Sequence, residues 1–356
     1  MVSATKPKVS VVIPNYNHAQ FLRQRVDSVL GQTYQDFEII LLDDCSTDDS
    51  RSILSCYAGD HRVTIQFNDV NSGSTFKQWN KGVRLARGEY VWIAESDDYA
   101  VETLLERLVG VLDAEPDVTF AYCRSWQISE KGQPEGFASD DYLDLIDARR
   151  WKADFTTDGR DECQHYFVCA NTVPNASAVV FRKVVYEHVA GADESFRQCG
   201  DWKLWAAMAL EGRVAYIAEP LNYYRFHEGS VRSNSKRNGL EAAEALRVIR
   251  WILERVTPPE TTWEMLRLLT SSYWPWAVLS PHVPLRVKWG VLRDVRAIDP
   301  HLLRKVMRTA LVMVRLKIAK ELRVLRERFE SFSSKKRNRR LSAKTSERVR
   351  EQQPDK

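Results

Sequence analysis

The 356-residue chain has no GxGxxG after its first apolar segment and no GxxxxGK[ST] anywhere. Both phosphate cradles depend on closely spaced glycines that let backbone amides approach an anion, so a dinucleotide or P-loop site is disfavoured. The six cysteines, Cys45, Cys56, Cys123, Cys163, Cys169 and Cys199, are scattered with no CxxC pair. That spacing speaks against a zinc ribbon or a disulfide framework and predicts free thiols in a reducing compartment. No apolar run approaches the roughly 20 residues of a membrane span, and a short polar lead stands where a signal peptide would begin. A cytoplasmic protein is therefore expected. Only 15 Gly and 13 Pro accompany 44% apolar and 28% charged residues, a globular composition with length for roughly two domains.

Charge is abundant but unevenly placed. Residues 301–356 hold 18 Lys and Arg against 6 Asp and Glu, a net of +12, whereas residues 1–300 carry 34 against 42, a net of −8. Basic character therefore belongs to the C-terminal part.

Apolar periodicity alternates between strand and helix from Val9 to Tyr122. Expected strands are Val9–Ile13, Phe37–Leu42, Val63–Phe67, Tyr90–Ala94 and Val118–Tyr122, with helices between them. This order predicts an α/β fold with a doubly wound, mostly parallel sheet. Ligands of such sheets bind beyond the carboxyl ends of the strands. Those ends carry Asn15-Tyr16-Asn17, Asp43-Asp44, Asn68-Asp69 and Glu95-Ser96-Asp97-Asp98. Three acids within four residues repel one another, and a divalent cation is the simplest way to hold them together. The alternative is an N-cap for a helix from Val101 onward. With few glycine-borne amides available, a diphosphate would be met by a metal and by a basic side chain such as Lys77. Asp201 at the start of a helix reads either as a cap or as a general base.

Val9 to Asn17, Ser28-Val29-Leu30-Gly31-Gln32-Thr33, Asp43 to Ser50, the acids at 95–98, Gly200-Asp201-Trp202 and Tyr224 to Ser230 together resemble the family 2 glycosyltransferases, inverting enzymes of the GT-A fold. The resemblance covers about residues 8–233. It implies that Pro14 and Tyr16 flank a nucleobase, with Asn17 nearby, and that Asp44 hydrogen-bonds the base's imide. It further implies that Asp97 faces the ribose or diphosphate, and that Asp98, with His227 close by, binds Mg²⁺ or Mn²⁺. Asp201 matches the general base. The chain departs from the family in Glu95, where many members have Asp and which is expected to point away from the metal. It departs also in Gly200, which replaces the acid that often precedes the base, and in Lys77, which stands in for a frequent arginine.

The implied activity is sugar transfer from a nucleotide-sugar donor to a hydroxyl of a polysaccharide or lipid-linked acceptor in cell-surface glycan synthesis. A rival reading is a catalytically inactive GT-A scaffold that recruits partners or anionic membrane through its basic C-terminus. The expected divisions are a catalytic domain at 1–233, a helical region at 234–330 and a disordered basic tail at 331–356. A basic amphipathic stripe over 301–329 suggests peripheral contact with the inner face of the plasma membrane, with a dimer seam or packing on its own domain as alternatives. The tail lacks interleaved aromatics, so specific nucleic-acid recognition is not expected.

Overall fold

The computed structural model describes residues 6–173, 175–227, 239–281, 283–298 and positions 301, 304, 307, 308, 311, 312, 314 and 315. The expected tail at 331–356 and most of the 301–329 stripe lie outside the described residues. Ten strands form one sheet: β1 Val9–Asn15, β2 Phe37–Asp43, β3 Val63–Phe67, β4 Tyr90–Ile93, β5 Tyr99–Ala100, β6 Val118–Ile128, β7 Pro134–Phe137, β8 Phe155–Asp158, β9 Val179–Arg182 and β10 Arg213–Arg225. The helices are α1 Ala19–Leu30, α2 Ser50–Ser55, α3 Thr75–Leu85, α4 Leu104–Ala114, α5 Asp140–Asp147, α6 Gly159–Glu162, α7 Lys183–His188, α8 Gly200–Ala209, α9 Leu240–Leu253, α10 Glu260–Leu279 and α11 Leu285–Ile298.

The strand order is β3-β2-β1-β4-β9-β6-β10-β5, with β7 on β6 and β8 on β10. Pairing is parallel from β3 to β4 and again between β6 and β10, while β9 runs antiparallel between the two groups. In register, Asn15 lies opposite Asp43 and Asp43 opposite Phe67, so the strand ends meet at one edge of the sheet.

Strand alternation builds a core on each face. Val9, Val11, Ile13 and Trp92 pack against Leu22, Val26 and Val29 of α1 and Leu104, Leu105 and Leu108 of α4, all buried. On the opposite face, Gly82 of α3 rests on Val12, where a Cβ would lie 2.2 Å from Val12 Cγ1. Trp205 of α8 sits among Phe120, Phe181 and Trp79 at centroid distances of 5.6, 6.0 and 6.3 Å. Each such buried side chain stabilises the fold by about 1.5–3 kcal/mol before entropy is counted.

A 3₁₀ turn, Ala176–Ala178, leads into β9. This turn pins the end of β4: the Trp92 indole donates to the Ser177 carbonyl at 2.8 Å, and the Glu95 amide donates to Ser177 Oγ at 3.0 Å. The helix expected at Val101 starts at Leu104, after Thr103 in the capping position, with β5 intervening. Asp97 and Asp98 therefore do not cap it. Residues Met1–Pro300 form one compact unit and His301–Lys356 a second, so α9 to α11 belong with the sheet. All six cysteines are free thiols. Among the described residues no helix is long and apolar enough to cross a membrane.

Candidate active site

β4 delivers its acids into a crowded corner where each carboxylate has a different fate. Asp97 Oδ2 lies 3.1 Å from His227 Nε2 in an ion pair. His18 joins them from the loop after β1, with its ring centroid 5.4 Å from that of His227. Ser96 Oγ lies 2.8 Å from His18 Nδ1, which leaves Nε2 for a further ligand. One ligand atom from each of His18, Asp97 and His227 falls within 4.8 Å of the others, a group able to hold a divalent ion. Burial works to raise the Asp97 pKa, but the His227 hydrogen bond and the two imidazoles outweigh it and hold the carboxyl below its ordinary range. The same hydrogen bond raises His227, while burial lowers His18.

Asp98 is turned elsewhere. Its Oδ1 accepts the Arg225 backbone amide at 2.8 Å, and burial with the neighbouring Asp97 charge pushes it up to about 7. The sequence assigned the ion to Asp98 and His227; in the structure Asp97 stands beside His227, and Asp98 ties the end of β10 to the acidic turn. Glu95 is also outside the three-ligand group. Its Oε1 accepts the Trp79 indole at 2.7 Å, and burial, reinforced by Asp97, drives it up to about 8.

Asp44 lies in a cradle at the end of β2. Its Oδ1 accepts from Asn68 Nδ2 at 2.6 Å, the Ser72 amide at 2.8 Å and Gln78 Nε2 at 2.9 Å, and Oδ2 accepts the Ser72 hydroxyl at 2.7 Å. Such a network fixes the carboxylate before any ligand arrives. Lys77 reaches the same loop through a 3.4 Å contact from Nζ to the Ser72 carbonyl. Pro14 is buried in β1 and Tyr16 is exposed just beyond it. Asn17 has a left-handed backbone with φ of 56°. Its amide donates to Ser46 Oγ at 2.9 Å and its Oδ1 accepts the Thr47 amide at 2.7 Å, so it braces the loop after β2.

Asp201 lies in the first turn of α8, one residue inside its start. Asn171 Nδ2 donates to Asp201 Oδ2 at 2.9 Å, and the Tyr142 hydroxyl donates to the Asn171 carbonyl at 2.6 Å. Gly200 has a packing reason to be glycine, because a Cβ there would approach Phe76 Cε2 to 2.5 Å. Phe76 stacks edge-on with Trp79 at 5.2 Å, and Trp79 holds Glu95. The start of α8 is thereby connected to the acidic turn through two rings.

Several of these residues were not singled out from the sequence. His18 carried a signal, a histidine directly after a strand-end cluster. Arg25 had none. It is fully buried in α1, donates from Nε to the Glu95 carbonyl at 2.8 Å, and lies 5.5 Å from the Trp92 ring. Burial brings its pKa down to about 10, so it stays charged and offsets Asp98, Asp97 and Glu95. Nothing local in the sequence distinguishes it from a solvated helix arginine.

Residues 10–168 match the family model Glycosyl transferase family 2. The chain is 42% identical over 101 residues to Glycosyltransferase GlyG of Streptococcus pneumoniae serotype 4, a match spanning 28% of this chain and only 33% of that protein. It is 27% identical over 262 residues to the Putative teichuronic acid biosynthesis glycosyltransferase TuaG of Bacillus subtilis, 72% of this chain and 93% of that protein. Among solved structures, S. aureus TarS 1-349 in complex with UDP-GlcNAc superposes with a TM-score of 0.63 at 17% identity, over 83% of this chain and 82% of that one. The mannosyltransferase PcManGT from Pyrobaculum calidifontis, in complex with GDP-Man and Mn²⁺, gives 0.55 at 17% identity over 90% and 81%. These likenesses show the same architecture with its mixed central sheet. Residues 10–168 thus match the family 2 glycosyltransferase model, and the strand order together with the structural likenesses gives the chain a GT-A fold.

Proposed function

We propose that the chain is an inverting glycosyltransferase that moves a sugar from a nucleotide-sugar donor to a hydroxyl of a polysaccharide or lipid-linked acceptor in cell-envelope glycan synthesis. The observation that carries this reading is the gathering of Asp97, His227 and His18 at the strand ends, beside a separate carboxylate, Asp201, held by Asn171. The envelope assignment is supported by the name of TuaG, which aligns along nearly its whole length.

In this reading Pro14 and Tyr16 flank the nucleobase and the preorganised Asp44 accepts from its imide. Lys77 lies on the diphosphate side. His18, Asp97 and His227 would hold the divalent ion, with Asp98 as framework. Two imidazoles and one carboxylate suit Mn²⁺ better than Mg²⁺, which favours all-oxygen surroundings. When bound, the ion offsets the charge that develops on the nucleoside diphosphate leaving group. Asp201 takes the acceptor hydroxyl proton while that oxygen attacks the anomeric carbon from the face opposite the diphosphate, so one base suffices for inversion. Asn171 keeps the Asp201 carboxylate oriented through its hydrogen bond.

The test begins with Mn²⁺ binding to chelator-treated protein, followed by electron paramagnetic resonance. Asp97→Asn and His227→Ala are expected to weaken binding by at least tenfold each, and wild-type binding in both would refute the ligand set. A mass-spectrometric screen of UDP-, GDP- and dTDP-sugars, with and without Mn²⁺, then identifies the donor. No binding or turnover of any of them would overturn the assignment as an enzyme.

A further inference from the structure

The outward face of α11 has a composition that neither the sheet nor the candidate active site uses. At 100° per residue, Leu285, Arg286, Trp289, Leu292, Arg293 and Arg296 fall within an arc of about 120°. Leu285 and Trp289 are 73% and 71% exposed, and Arg286, Arg293 and Arg296 are exposed beside them. The opposite side of the helix, with Val291, Asp294 and Val295, is buried. Asp294 is the helix's only acid; it is buried and accepts from Arg250 at 2.6 Å and from Arg293 Nε at 3.1 Å. The exposed arc therefore presents two large apolar side chains and three guanidinium groups, of which Arg293 reaches back to Asp294, and it carries no acid of its own.

An exposed tryptophan costs solvation unless something covers it, and the cations around it determine what that covering is. A second copy of the same arc would bring arginines against arginines. A nucleic acid would satisfy the arginines but leave Leu285 and Trp289 without an apolar medium. An anionic bilayer serves both: headgroups pair with the arginines, while indole and leucine enter the boundary between headgroups and acyl chains. The second compact unit, taken by itself, repeats the pattern at its described helical positions. Met307, Leu311, Val312 and Val314 are exposed there together with Arg304, Arg308 and Arg315.

We infer that the Leu285-Arg286-Trp289-Arg293-Arg296 face of α11 is a docking surface for an anionic lipid bilayer. This inference does not depend on sugar transfer, and its test is separate from activity. Full-length protein is sedimented with vesicles of phosphatidylcholine alone or with phosphatidylglycerol at about one third, across a range of NaCl. Binding is expected only with the anionic lipid and should fall as salt rises. Each basic residue near such a surface raises partitioning about fivefold, so Arg286→Ala/Arg293→Ala/Arg296→Ala should lower it about a hundredfold. Trp289→Ala should lower it about tenfold. All the altered side chains are exposed, and circular dichroism melting checks that the variants fold as wild type. Equal binding to both vesicle types would overturn the inference, as would wild-type partitioning of the triple variant. So would a dimer dissolved by Trp289→Ala with no vesicle binding, or oligonucleotide binding without vesicle binding.

Discussion

At the scale of single residues, the acidic turn is governed by burial more than by sequence position. Glu95 accepts an indole N–H deep in the protein and has its pKa raised from 4.5 to about 8. Between those values the folded, metal-free protein binds a proton more tightly than the unfolded chain. Its stability must therefore fall as pH rises from about 4.5 to 8, by at most a few kcal/mol. Glu95→Gln keeps the acceptor for Trp79 and removes the titration. Thermal melts of the metal-free variant should show a flatter pH dependence and a higher Tm at pH 8 than wild type; a parallel shift at all pH values would refute this. Asp201 gives the opposite kind of test. As the base, Asp201→Asn should lower kcat about 10²–10⁴-fold while leaving donor affinity unchanged. Asn171→Ala removes the hydrogen bond that orients this carboxylate, so kcat should fall about tenfold with donor affinity unchanged, and a wild-type kcat would refute the positioning role.

At the scale of elements, the helical region expected to begin at 234 is tied to the segment before α8 by a buried carboxylate. Glu244 of α9 is buried and accepts the backbone amides of Arg197 at 2.8 Å, Gln198 at 2.8 Å and Cys199 at 3.0 Å, immediately before α8 and Asp201. Glu244→Ala leaves three amides unsatisfied and should destabilise the protein by about 3–5 kcal/mol. Hydrogen exchange at 197–201 should rise more than in β1 or β2, and uniform loss of protection would contradict the local role. Gly200 shows the same coupling sterically. Gly200→Asp drives a side chain into Phe76 and should cost about 1–3 kcal/mol, partly recovered by Phe76→Ala in a double-mutant melt. These links mark the limit of what the sequence discloses. Period and caps located β1 to β4 and the edge where their polar ends meet, because those are local patterns. The antiparallel pairing of β9, the β5 pairing, Arg25 and Glu244 depend on partners distant in sequence, 70 residues away in the Arg25–Glu95 hydrogen bond and 46 in the Glu244–Gln198 one, and leave no periodic trace. The exchange of position between Asp97 and Asp98 has the same origin: adjacent side chains diverge, and groups distant in sequence, the Arg225 amide from β10 and the Ser177 side chain, hold Asp98 away from the histidines.

At the scale of the whole molecule, the enzyme and scaffold readings place the indispensable residues in different parts of the chain. Every side chain proposed for donor, ion and base lies between Pro14 and His227, in a unit whose contacts extend to Pro300, whereas the +12 charge lies in residues 301–356. An enzyme whose site is complete within the first unit should tolerate removal of 301–356 in solution. A chain ending at Pro300 is expected to keep Mn²⁺ affinity and donor hydrolysis within about threefold of wild type, because no proposed ligand or base is lost. The same truncation should weaken partitioning onto anionic vesicles, since the electrostatic attraction it removes scales with the number of basic residues near the surface. A scaffold inverts both expectations. Asp97→Asn and Asp201→Asn would then leave cellular glycan assembly intact, and loss of 301–356 alone would abolish it. Complementation of a null strain with these three variants, read as surface glycan by mass spectrometry, separates the cases. Failure of the two carboxylate variants together with at least partial rescue by the truncated chain is the outcome that catalysis requires.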